Sequence, residues 1–117
     1  SLTKLMTEET VTFGEIAADS AVETSLGVFL SHQSDSTIEV ISVAVEQTTN
    51  ADAEFNILLD GESVFSTAQS VSAGDTVETF IPDQNKHSVD GSLAIEVTSA
   101  GTGGDVLNGG IRIRHGE

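Results

Sequence analysis

Apolar residues recur at every second position in short runs, each run ends in Gly, Asn, Asp or Ser, and no stretch carries the 3.6-residue period of a helix. Leu93, Ile95 and Val97 alternate with Ser92, Ala94, Glu96 and Thr98, while Phe55, Ile57 and Leu59 alternate with Glu54, Asn56 and Asp60. Such alternation sends successive side chains to opposite faces of a sheet, so each strand has one face to bury. A chain patterned this way throughout must cover sheet with sheet.

Residues 1–9 carry no clear period and read as an N-terminal arm, in which Leu2, Leu5 and Met6 can make one helical turn or dock on a neighbour. Residues 10–117 read as a single domain. Val11 and Phe13 open the first strand, and a turn at 17–20 leads to a run over 22–30 carrying Val22, Leu26, Val28 and Leu30. After a polar loop at 32–36, residues 37–48 form the longest candidate. Its phase slips between Val40 and Ile41, which signals a β-bulge or a section buried on both faces. Asp60-Gly61 predicts a tight hairpin between the Phe55 run and a short partner at 63–66. A loop over 70–75 precedes a strand at 76–81 that Pro82 stops. Asp90-Gly91 marks another turn, 101–110 reads as a glycine-rich loop, and the last strand points Ile111 and Ile113 inward with Arg112 and Arg114 on the opposite face. These eight candidates predict an all-β, eight-stranded antiparallel β-sandwich of jelly-roll type. An immunoglobulin-like sandwich is the nearest competitor, but its Cys and Trp landmarks are missing. Five Phe with no Tyr and no Trp leave a mostly aliphatic core.

The polar positions are overwhelmingly acidic: 19 Asp and Glu against 4 Lys and Arg give a formal net charge of −15 on 117 residues. A domain of this mass exposes roughly 6,000 Å², or one net negative charge per roughly 400 Å². Because the Debye length falls from ~10 Å at 0.1 M salt to ~3 Å at 1 M, concentrated salt relieves the self-repulsion of such a surface. The bias resembles that of proteins from extreme halophiles. It excludes nucleic acid, whose phosphates require clustered Lys or Arg, and disfavours anionic membranes. With no cysteine, disulfides, thiolate metal sites and thiol catalysis are all ruled out.

No constellation has catalytic spacing, and the chain reads as no enzyme: its serines lack a His and Asp in any recognisable frame, and its carboxylates alternate along strands as solvated faces do. His32, His87 and His115 fall in expected loops or at the terminus and read as solvent-exposed, without zinc-ligand spacing. Calcium prefers clustered oxygens, which Asp83, Asn85 and Asp90 offer in one connection and Asp60 and Glu62 beside a turn. Asx-rich turns need no metal to explain them, so no cofactor is expected beyond diffuse cation association. A sugar-binding face takes exposed aromatic rings, and Phe65 near the hairpin end is the candidate to test. Arg112 and Arg114 are two of only four formal cations; on one strand face they can pair with a neighbouring subunit's carboxylates or within the chain.

The stretches Val11-Thr12-Phe13-Gly14-Glu15-Ile16-Ala17-Ala18-Asp19-Ser20-Ala21, Ala73-Gly74-Asp75-Thr76-Val77 and Ile81-Pro82-Asp83-Gln84-Asn85 resemble small jelly-roll proteins that decorate capsids or form virion appendages. With the acidic surface, the chain looks like a decoration or turret subunit of a tailed virus infecting a halophilic archaeon. The resemblance implies a virion location, a homo-oligomer (trimer or pentamer), and contact of the arm or terminal strand with the major capsid protein. The alternative from another class is a secreted or cell-surface binding module of a halophile, for a glycan or a protein.

Overall fold

In the computed structural model, which describes residues 7–17, 23–30, 37–47, 53–72, 77–84, 90–99 and 106–116, the alternating runs become nine strands. They are β1 (Thr7–Ala17), β2 (Glu23–Leu30), β3 (Thr37–Gln47), β4 (Ala53–Leu59), β5 (Glu62–Ser63), β6 (Gln69–Val71), β7 (Glu78–Phe80), β8 (Asp90–Ser99) and β9 (Val106–Gly116). One sheet has the order β1-β9-β3-β7 and the other β2-β8-β4-β5, with every pairing antiparallel. Because β8 occupies one edge of β4, β5 and β6 share the other, and they are two pieces of one broken strand. Eight strand positions result. Every connection except the β4–β5 hairpin passes from one sheet to the other, which is the jelly-roll order.

The core lies between the sheets. Phe13, Ile16, Ile38, Val40, Val43, Val45, Leu107, Ile111 and Ile113 face Ala53, Phe55, Ile57, Leu59, Leu93, Ile95 and Val97, all buried. Phe55 sits at the centre, with Phe65 and Phe80 edge-on to it at centroid distances of 6.0 and 5.2 Å. Burying each such ring contributes about 1.5 to 3 kcal/mol.

The phase slip in β3 is a bulge: the register against β9 shifts between Val40 and Ser42, so that Ile38 and Val40 before it and Val43 and Val45 after it all point inward. Asp60 and Gly61 form the expected two-residue turn with φ of 54° and 81°, the positive values that suit a right-twisted hairpin. Asp60 also accepts a bond from Ser92 N through Oδ1 at 2.8 Å and donates its own N–H to Ser92 O at 2.8 Å, tying the turn to β8.

Several boundaries differ from expectation. Thr7, Glu8 and Glu9, expected in the arm over 1–9, pair with His115, Arg114 and Ile113 as the start of β1. Asp90-Gly91 is no turn but the first two residues of β8, and Gly109 and Gly110, expected in the glycine-rich loop, lie inside β9, while residues 101–105 lie outside the described residues. The partner expected over 63–66 stops at Ser63; Val64 and Phe65 beyond it are both buried, and Val64 N still donates to Ile57 O at 2.9 Å. Asn56 bridges the break: its Nδ2 donates to Phe65 O at 3.2 Å and its Oδ1 accepts from Ile57 N at 2.8 Å.

Candidate interaction surface

β9 runs between β1 and β3, with Ile111, Ile113 and His115 on its inner face and Arg112 and Arg114 on its outer face. The register sets Arg114 between Glu8 of β1 and Glu39 of β3. Its Nε and Nη2 both donate to Glu39 Oε1, at 3.0 and 2.6 Å. That bond, then the charge of Glu39 and of Glu8, holds the guanidinium above its ordinary value. Arg114 is thus engaged within its own chain.

Arg112 is placed differently. Thr10 and Ser42 are its register partners, its Nε lies 3.8 Å from Glu8 Oε1, and the side chain is 59% exposed. Exposed pairs at that distance contribute little, so this guanidinium remains available to solvent or a partner. Around it the outer face carries the uncharged Thr10, Thr12, Ser42, Ala44, Thr79 and Gly110, with Glu8, Glu39 and Glu46 on the same face. At its β7 border stand Val77 and Ile81, 58% and 68% exposed, the large apolar side chains most open to solvent among the described residues. The sequence places both in a strand; their exposure follows from β7 being a sheet edge whose alternate residue, Phe80, turns inward onto Phe55.

The outer face of the other sheet is acidic without a described cation. Glu23 and Glu96 lie directly across from one another on β2 and β8, Glu54 follows on β4, and no Lys or Arg stands on that face among the described residues.

Other sequence candidates land elsewhere. His115 was expected in an exposed terminal segment and is instead 2% exposed on the inner face of β9, with Nε2 3.3 Å from Glu9 Oε1. The strand runs on to Gly116, and inward alternation carries His115 with it. Phe65 is 1% exposed in the core, so it offers no ring to a sugar. Of the calcium candidates, Asp83 is committed to Ser66, whose backbone N donates to Oδ1 at 2.8 Å and whose hydroxyl donates to Oδ2 at 2.5 Å. Asn85 lies outside the described residues and Asp90 is described through its backbone pairing with Leu30. No group of three metal-ligating side chains comes together among the described residues. Leu2, Leu5, Met6, His32 and His87 lie outside them too.

The bonds from Ser66 lower the Asp83 pKa. A depressed carboxylate stabilises the fold above its unfolded pKa, near 3.9, and loses that contribution as pH falls through the lower folded value. Acid titration of Ser66→Ala should therefore show a shallower loss of stability below about pH 4 than the parent chain, read by circular dichroism. Identical acid limbs would mean that the clamp contributes nothing.

No protein-family model matches the chain, and no curated protein matches it in sequence. Among solved structures it is similar to the crystal structure of PirA, at 11% identity and a TM-score of 0.44, over all of this chain and 97% of that one. It is also similar to the structures of infectious bursal disease virus, Gx strain (14% identity, TM-score 0.44) and Gt strain (13%, 0.38). In both viral cases the match takes in 97% of this chain and 33% of the other, so this chain spans about a third of the viral chain's length.

Proposed function

We propose that the chain is a structural subunit of a virus particle, a capsid-associated decoration or turret protein adapted to high salt. The observation that carries this reading is the jelly-roll strand order, an architecture used by viral capsid and lectin domains and by cupins. Cupin-type chemistry needs clustered polar ligands in an open interior, whereas the inner faces here are filled by aliphatic side chains and Phe, with His115 at the end of β9. Lectin-type stacking needs exposed rings, and Phe13, Phe55 and Phe65 are buried. A subunit of a shell needs neither; it needs a rigid body and faces to present. The adjacency of β1 and β9 also brings the start and end of the described domain to one place, from which an arm and a terminal strand can contact a major capsid protein.

The reading is tested with antibodies raised against the purified chain and applied to density-gradient fractions from its source culture. Label on assembled particles, seen by immunogold microscopy, is the expected result. Label confined to cells or to particle-free medium would replace it with the secreted or cell-surface binding module.

A further inference from the structure

Asn108-Gly109 is the one Asn-Gly step in the chain, and it falls inside β9. We infer that it is a latent deamidation site held closed by the fold, so that modification at Asn108 marks copies whose β9 has left the sheet or not yet joined it. The inference goes beyond the virion reading and stands whether or not that reading holds. Its chemistry needs only water. The backbone nitrogen of Gly109 attacks Cγ of Asn108, the new N–C bond closes a succinimide as the Cγ–Nδ2 bond breaks, and the Gly109 amide proton leaves with Nδ2 as ammonia. Water then opens the ring at either carbonyl, giving aspartate or isoaspartate. Glycine, with no Cβ, leaves the attacking nitrogen unhindered.

In the folded domain, position blocks ring closure. Extended backbone, with ψ near about +135°, holds Gly109 N away from Asn108 Cγ, and closure requires rotation well out of that region. An interior strand has no freedom to make it. Asn108 pairs with Glu46 on β3, and Gly109 with Phe13 on β1 and Val45 on β3. The backbone of β3 passes so close that a Cβ on Gly109 would overlap Ala44 O, which leaves the peptide joining the two residues no space to turn. The carboxamide has its own seat. β1 bulges between Phe13 and Ile16, opposite Asn108, and a Cβ added to Gly14 would come within 3.2 Å of Asn108 Oδ1.

Both products fit that place poorly. Aspartate at 108 sets a carboxylate directly across from Glu46, a destabilising like-charge pair. Isoaspartate routes the main chain through the former side chain, and the extra backbone carbon displaces the ladder that places Ile111, Ile113 and His115 inward. A transient opening of β9 thereby becomes permanent.

The test ages the full chain at mildly alkaline pH, folded in molar salt and unfolded in guanidinium chloride, and maps its peptides by mass spectrometry. Conversion of amide to carboxylate adds mass, whereas isomerisation at Asp60-Gly61 or Asp90-Gly91 does not. The unfolded chain is expected to deamidate at Asn108 about a hundredfold or more faster than the folded one, because only the opened fraction reacts and opening an interior strand costs nearly the global stability. Returned to refolding conditions, deamidated copies should stay protease-sensitive while unmodified copies in the same sample refold. Asn108→Gln, which must close a larger and slower-forming ring, should age without that loss. Equal rates in the two states, deamidation centred on Asn50, Asn56 or Asn85, or deamidated copies that refold as fully as unmodified ones would each overturn the inference. These three outcomes are read on the parent chain and do not depend on the variant folding.

Discussion

Replacing Gly109 with alanine is expected to cost the domain about 3 kcal/mol or more, which is much of the total stability of a small domain. Gly109 lies mid-sheet, opposite Phe13 on β1 and Val45 on β3. A Cβ there would overlap the backbone carbonyl oxygen of Ala44 and press on Phe13 Cζ at 2.9 Å. A carbonyl held in a ladder cannot rotate away as a side chain can, so β3 and β9 must separate and their hydrogen bonds lengthen. The neighbouring Gly110 is the control. A Cβ at that position meets Thr10 Cγ2 at 3.1 Å and Val11 O at 3.9 Å, and an exposed threonine can yield. Gly110→Ala should change stability by less than about 1 kcal/mol. Urea unfolding of the two variants side by side measures the contrast, and equal stabilities would show that β3 and β9 do not approach as closely as described.

The second large effect is that of salt. The melting temperature is expected to rise by about 10 °C or more between roughly 0.1 and 2 M sodium chloride, as relief of a few kcal/mol would produce in a domain of this size. The accessible surface of 6005 Å² carries the net charge of −15 with little compensation. Arg114 neutralises Glu39, whereas the Glu23–Glu96 row and Glu54 share a face without a described cation. Repulsion of that kind falls as the Debye length contracts, while the aliphatic core does not weaken with sodium chloride. A flat melting profile would mean that the acidic faces do not repel appreciably, and would remove the argument for a high-salt habitat.

Much of this fold was legible because period-two alternation is a local property. Leu93, Ile95 and Val97 declare an inner face by themselves, Asp60-Gly61 declares a hairpin, and the slip at Val40 marks the bulge before any partner strand is known. What was not legible depends on a neighbour. Gly109 and Gly110 read as loop in the sequence because glycine is a turn residue; they belong to β9 because the backbone of β3 passes too close for any side chain at Gly109. The break between β5 and β6 follows from Val64 and Phe65 both finding room in the core beside Phe55, and from Asn56 being placed to bridge the gap. His115 reads as terminal and exposed until β1 and β3 close over it from both sides. On the candidate surface, the arginines' shared face was visible from alternation. Their unequal roles were not, because only the register sets Arg114 between two glutamates and Arg112 between a threonine and a serine.

The position of β9 has a consequence for the life of the chain. The ninth strand in chain order is an interior strand of its sheet, with β1 on one side and β3 on the other. Until residues 106–116 emerge, those two strands have no neighbour between them, and their facing edges are open to any other extended chain. Folding of that sheet therefore waits for residues 106–116 and joins segments about a hundred residues apart, which places this domain among the slower-folding topologies. A chain cut short before β9 would carry two exposed strand edges and would be drawn to aggregate.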